Sequence, residues 1–189
     1  ETWEIIGYEP VEMPCSGSFH AVSDNGIAVG EFGAEGNGKA FMVNYAEGGE
    51  IKYLAGKDGE NSSAFGITAD GSTIVGFHFQ ITEDWQFIVG ACIWTDNGDT
   101  RIELPNPSEE ELGFAIDYCE ARWISKDGSV IGGFVQDQAH GMWLLQTWHR
   151  NAAGEYVPDA TAGKYYETEM GMGKPYMKFN VDSSALSSN

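Results

Sequence analysis

Ile67-Thr68-Ala69-Asp70-Gly71-Ser72-Thr73-Ile74-Val75-Gly76 recurs in altered form along this chain. One copy runs Ile124-Ser125-Lys126-Asp127-Gly128-Ser129-Val130-Ile131-Gly132, and a shorter one runs Val22-Ser23-Asp24-Asn25-Gly26-Ile27-Ala28-Val29-Gly30. A fourth opens at Leu186-Ser187-Ser188-Asn189, where the sequence stops. Asp70-Gly71 is a strong signal for a tight hairpin turn, because glycine accepts the positive φ that such turns require. After it, Thr73 to Ile81 alternates Phe77, Phe79 and Ile81 with His78 and Gln80, the period of two that marks a strand. Ser63 to Thr68 precedes the turn as a short β-rich run, and Gln86 to Thr95 follows as an apolar one. Asp96-Asn97-Gly98-Asp99 is a second turn, and Thr100 to Leu104 closes the unit before Pro105. Four short strands joined in sequence by turns make an antiparallel meander.

The other two copies carry the same grammar. The predicted repeats span about 18–57, 63–105 and 119–158. The turn glycine recurs at Gly26, Gly71 and Gly128, close to the roughly 40–50 residues of a four-stranded propeller blade. The wider second interval holds a polar insertion, Pro105 to Glu111, read as a solvated loop. Partial units at 1–8 and 176–189 resemble the last and the first strand of a blade. The expected fold is therefore a single all-β repeat domain over 1–189: repeated four-stranded antiparallel meanders, β-propeller-like, with about three blades in an open or partial array. The alternative is a β-sandwich of the same hairpins. The partial units and the start at Glu1 fit a piece of a longer chain.

Composition bounds the function. The 189 residues carry 29 Asp and Glu against 10 Lys and Arg, a formal charge of −19. That sign opposes binding to nucleic acid and to anionic membrane surfaces. No run of 18 apolar residues exists, so no helical membrane span is expected. The three cysteines, Cys15, Cys92 and Cys119, show no CxxC spacing, so zinc is not indicated and no disulfide pair is selected among them.

These motifs resemble the extracellular HAF-type repeat of bacterial secreted and surface proteins. The first half of that repeat matches at Ala21 to Gly30, Ala64 to Gly76 and Ala121 to Gly132. The second half matches at Ala40-Phe41-Met42-Val43 and Ala91-Cys92-Ile93-Trp94, and more loosely at Gly141-Met142-Trp143-Leu144. The resemblance implies propeller blades and an exported protein, extracellular or in the cell envelope. It implies no catalytic residues.

No metalloprotease, nucleophile-elbow or EF-hand spacing appears among the four histidines and 29 acids. Asp96 and Asp99 are the nearest approach to a metal site, and no cofactor is expected. Aromatics on loops are the better candidates for binding. Trp85 sits in a turn, Trp148 and His149 end an edge-like strand, and Tyr165 and Tyr166 lie in an irregular stretch. Trp94, Trp123 and Trp143 fall inside repeat strands and are read as core. The expectation is a non-catalytic recognition module with a glycan or protein ligand, capable of self-association through open terminal blades. Its alternatives are a propeller-type carbohydrate-active enzyme and a purely structural or assembly element.

Overall fold

The computed structural model describes residues 16–33, 38–81, 87–112, 116, 118–137 and 142–159. Sheet 1 runs β1 (Gly17–Val22), β2 (Ile27–Phe32), β3 (Lys39–Asn44) and β4 (Ile51–Tyr53). Sheet 2 runs β5 (Asn61–Ile67), β6 (Ile74–Ile81), β7 (Phe87–Thr95) and β8 (Thr100–Glu103). Sheet 3 runs β9 (Tyr118–Ile124), β10 (Val130–Asp137), β11 (Met142–Arg150) and β12 (Tyr156–Pro158). Each is an antiparallel meander whose strands lie in chain order. The partial units at 1–8 and 176–189 lie outside the described residues. In the insertion after sheet 2, Glu109–Leu112 forms one helical turn where a loop was expected.

The sheets stack face to face. β5 packs on β1, β2 and β3, and β9 packs on β5, β6 and β7, so each sheet meets its neighbour through its own first strand. One core lies between sheets 1 and 2, holding Val29, Met42, Ile74, Cys92 and Trp94. A second lies between sheets 2 and 3, holding Val75, Ala91, Ile93, Ile131 and Trp148. Consecutive residues of sheet 2 therefore point into different cores, which explains the unbroken apolar run Ala91 to Trp94. A two-sheet sandwich covers one face of each sheet; here the middle sheet is covered on both. The three described sheets form an open, propeller-like array.

The repeated motif has a physical cause at each position. Ser23, Thr68 and Ser125 each donate a hydroxyl hydrogen bond to the turn residue two places on (Asn25, Asp70, Asp127). Each hydroxyl also accepts a backbone N–H from the returning strand, at Ile27, Thr73 and Val130 (2.9–3.0 Å). The turn glycines have φ of 84°, 74° and 71°. Neighbouring turns are tied together: the Asp24 N–H donates to the Ala69 carbonyl (2.9 Å), and the Ala69 N–H donates to the Lys126 carbonyl (3.1 Å).

A β-bulge recurs in the first strand of every sheet. The pairing register slips at His20 in β1, at Phe65 in β5 and at Arg122 in β9. Each of these residues stands six places before its turn glycine. The bulge pushes the carbonyl of Ser18, Ser63 or Glu120 toward the next strand, 1.9 Å from where a Cβ would stand on Gly30, Gly76 or Gly133. Only glycine fits there. The third-copy equivalent of Gly76 is thus Gly133, one residue beyond the Gly132 that the sequence pattern aligns.

Two tryptophan assignments also shift. Trp94 pairs with Ile74 and donates its indole N–H to the Ala55 carbonyl (2.8 Å). Trp148 pairs with Ile131 and donates to the Pro105 carbonyl (2.7 Å), so Trp148 and not Trp143 is the counterpart of Trp94. Trp123, read as core, is 49% exposed. It occupies the place of Ala21 and Gly66, residues that face the following sheet. A side chain at Gly66 would crowd the β9 backbone, at 3.3 Å from Arg122 O and 3.5 Å from Ile124 N. In sheet 3 the Trp123 ring folds over Gly132 and meets Phe134 edge-on, with centroids 5.3 Å apart. Sheet 3 therefore does not present the flat surface that sheets 1 and 2 present to their successors. The side chain of Trp143 lies outside the described residues.

Candidate binding cleft on the inner strands

The three bulge residues converge. A bulge leaves one residue unpaired and re-aims its side chain. His20, Phe65 and Arg122 consequently stack in series across sheets 1, 2 and 3. The His20 ring tilts against Phe65 with centroids 5.0 Å apart, and the Arg122 guanidinium carbon lies 3.8 Å above the Phe65 centroid. This cation–π contact is fixed from behind by Glu120, which accepts from Arg122 at 2.7 and 3.0 Å and from the Tyr118 hydroxyl at 2.8 Å. Burial and then the Glu120 charge push the Tyr118 hydroxyl pKa well up, so Tyr118 stays a donor.

From Phe65 the aromatic surface continues along sheet 2. Phe65 and Phe77 are nearly parallel (5.6 Å, 10°), as are Phe77 and Phe79 (6.2 Å, 13°), and Tyr118 leans on Phe77 at 6.1 Å. Phe65, Phe77, Phe79 and Tyr118 are all half-buried, so this row is a shelf and not a core. At its end opens a cleft of about 390 Å³, lined by Ser16, Ser18, Glu31, Asn61, Phe77 and Phe79. Asn61 is only 7% exposed, and its Oδ1 has no hydrogen-bond partner. A second cleft of about 450 Å³ adjoins it through Gly33 and Ser62 and is lined by Phe32, Tyr53, Lys39 and Lys57. The Lys39 ammonium there is engaged with the Glu60 carbonyl.

On sheet 2 an ionic cluster gathers, with Glu60, His78 and Arg101 buried and Glu103 half-exposed. Arg101 donates to both oxygens of Glu60 (2.6 and 3.2 Å) and lies 3.0 Å from Glu103. His78 Nε2 is 2.7 Å from Glu103, and Nδ1 is 3.1 Å from Glu60 without hydrogen-bond alignment. Burial alone would raise the Glu60 pKa, but the Arg101 hydrogen bonds, the Lys57 N–H and the Arg101 charge overrule it and hold it at about 2. Gly90 makes room for the cluster: a Cβ there would sit 2.7 Å from His78 Nε2. Both carboxylates are engaged by Arg101 or His78, so the cluster reads as an internal tie within sheet 2, from Glu60 just before β5 to β6 and β8.

The aromatics singled out in the sequence do not form this site. Trp148 is fully buried, its indole pinned in the core, so a ligand cannot reach it. His149 is exposed on β11 with Asp159 at 3.5 Å, away from the cleft. Trp85, Tyr165 and Tyr166 lie outside the described residues. Asp99 is paired with Lys52 at 2.9 Å, and Asp96 stands in the neighbouring turn with φ 52°. Among the described residues no group of three or more His, Cys, Asp or Glu is placed to hold a metal ion. Cys92 and Cys119 are buried free thiols, Cys119 pushed up to about 12 chiefly by burial. Cys15 lies outside the described residues. The residues that do converge carried a signal: each bulge residue stands at one fixed offset from its turn glycine.

No family model matches the chain, and a search of the curated proteins finds no match.

Proposed function

We propose that this chain is a non-catalytic recognition module that binds a glycan in the cleft beside the Phe65–Phe77–Phe79 shelf. The observation that carries the reading is a parallel aromatic row that ends in a cleft lined by the polar residues Ser16, Ser18, Glu31 and Asn61. A sugar ring has an apolar C–H face that stacks on aromatic rings and hydroxyls that exchange hydrogen bonds with such polar side chains. A volume of about 390 Å³ is in the range of small-ligand clefts. The resemblance to HAF-type repeats adds an exported bacterial protein, acting outside the cell or in its envelope.

The rival reading, a glycoside-cleaving enzyme, needs two carboxylates flanking one bond. Glu31 is the one carboxylate among the described residues lining this cleft. Glu60 and Glu103 are bound to Arg101 and His78 instead. Binding of the full chain to a panel of immobilised oligosaccharides tests the proposal. Phe79→Ala is expected to weaken binding by about tenfold, the worth of one stacked aromatic contact. Retained affinity in Phe79→Ala, binding to no glycan, or release of cleaved product would overturn it.

A further inference from the structure

We infer that Asn97-Gly98 is a spontaneous modification site, where the chain converts its own asparagine to aspartate and isoaspartate and so loosens the joint between sheets 1 and 2. The inference is independent of the ligand. The Gly98 backbone nitrogen gives up its proton to water or buffer base and attacks the Asn97 side-chain carbonyl carbon. The new C–N bond closes a cyclic imide, the bond to Nδ2 breaks, and the amide leaves as ammonia. Water then opens the ring at either carbonyl, which gives aspartate or isoaspartate at position 97. A following glycine leaves the attacking nitrogen unhindered. The chain has three such pairs, Asn25-Gly26, Asn37-Gly38 and Asn97-Gly98, and Asn37 lies outside the described residues. The other two differ. Asn25 is held at both ends of its amide: Oδ1 accepts from the Ser23 hydroxyl, and Nδ2 donates to the Asp70 carbonyl (2.8 Å). The same amide lies against Gly71, where a Cβ would stand 3.0 Å from Oδ1. Asn97 stands exposed in its turn with φ 57°, and among the described residues no partner holds its side chain. Its backbone carbonyl, part of the peptide bond to Gly98, accepts from the Lys52 ammonium (2.8 Å). Negative charge gathers on that oxygen as the Gly98 N–H ionises, so the lysine favours attack. The turn is keyed into sheet 1. The Gly98 carbonyl accepts the Ala55 N–H (2.9 Å), and a Cβ on Gly98 would stand 2.5 Å from Leu54 Cδ2. Isoaspartate lengthens the main chain by one methylene and pushes Gly98 out of that fit.

The test is peptide mapping by mass spectrometry of the full chain stored in warm, mildly alkaline buffer, with fragmentation that tells isoaspartate from aspartate. Conversion at Asn97 is expected to run about tenfold or more faster than at Asn25, the worth of the two hydrogen bonds that Asn25 must break before attack. Lys52→Met should slow the reaction at Asn97 and leave that at Asn25 unchanged. The stored protein should melt at a lower temperature than the fresh protein. Asn97→Gly, which suits the positive φ, should escape that loss. Equal conversion at the two sites, or faster conversion at Asn25, would overturn the inference. So would stored protein that melts as the fresh protein does, or an equal loss in Asn97→Gly. An unchanged or faster rate in Lys52→Met would overturn the part given to the lysine.

Discussion

Gly76 shows how little freedom the repeated residues have. A methyl group there would stand 1.9 Å from the Ser63 carbonyl oxygen, a backbone atom that cannot swing away. Gly76→Ala is expected to cost at least about 3 kcal/mol, read from the urea midpoint, because one strand must move off the other. Gly132→Ala, whose Cβ would meet only the Trp123 ring at 3.2 Å, should cost far less. Equal effects would contradict the bulge assignment. Glu60 makes a second single-residue claim. Its pKa lies at about 2 in the fold against an ordinary 4.5, so its stabilising contribution is complete above pH 4.5 and is lost as the pH falls toward 2. By linkage that contribution is about 3 kcal/mol. Glu60→Gln should lower stability at neutral pH and flatten the acid limb of the pH–stability curve. The glycines of the motif were legible in the sequence as turn or strand signals. The reason for Gly76 was not, because it depends on the backbone of the paired strand.

At the scale of the element, the strands were legible and their faces only partly so. Alternation over Phe77 to Ile81 and turns at Asp70-Gly71 and Asp127-Gly128 locate strand after strand. A bulge, however, adds one residue and reverses which side chains face inward. Trp123, just beyond the bulge at Arg122, stands where Ala21 and Gly66 are covered by the following sheet, and no described sheet follows sheet 3, so it is exposed although it lies inside a strand. The bulges also build the shelf, and a period-two reading of the sequence does not place them. Trp148 went the other way: period two does not say which face of β11 is covered, and sheet 2 covers this one. Two outcomes are expected. Trp148→Phe leaves the Pro105 carbonyl without its indole donor and should destabilise the fold by about 1–3 kcal/mol in chemical unfolding. Trp123→Phe should remove a component of fluorescence that acrylamide quenches readily, with little change in stability. A quench-resistant component lost instead would contradict the placement of Trp123.

The described residues form three meanders tied by a few recurrent links: turn to turn through the Ala69 backbone, and indole to carbonyl at Trp94 and Trp148. The repeat count and the order of sheets were visible in the sequence, because each unit carries its own turn chemistry. The cleft was not, since Ser18, Glu31, Asn61 and Phe79 come from four strands in two sheets, and no spacing along the chain announces them. The charge of −19 makes the fold self-repelling, so moderate salt is expected to raise its melting temperature. A fall would mean that specific ion pairs outweigh the net charge. The most direct test of the central claim is a backbone amide shift map during titration with a glycan that binds. The largest changes are expected at Ser16 to Ser18, Glu31 to Gly33, Asn61 to Ser62 and Phe77 to Phe79. Changes gathered instead on β4, β8 and β12, with the inner strands silent, would contradict it.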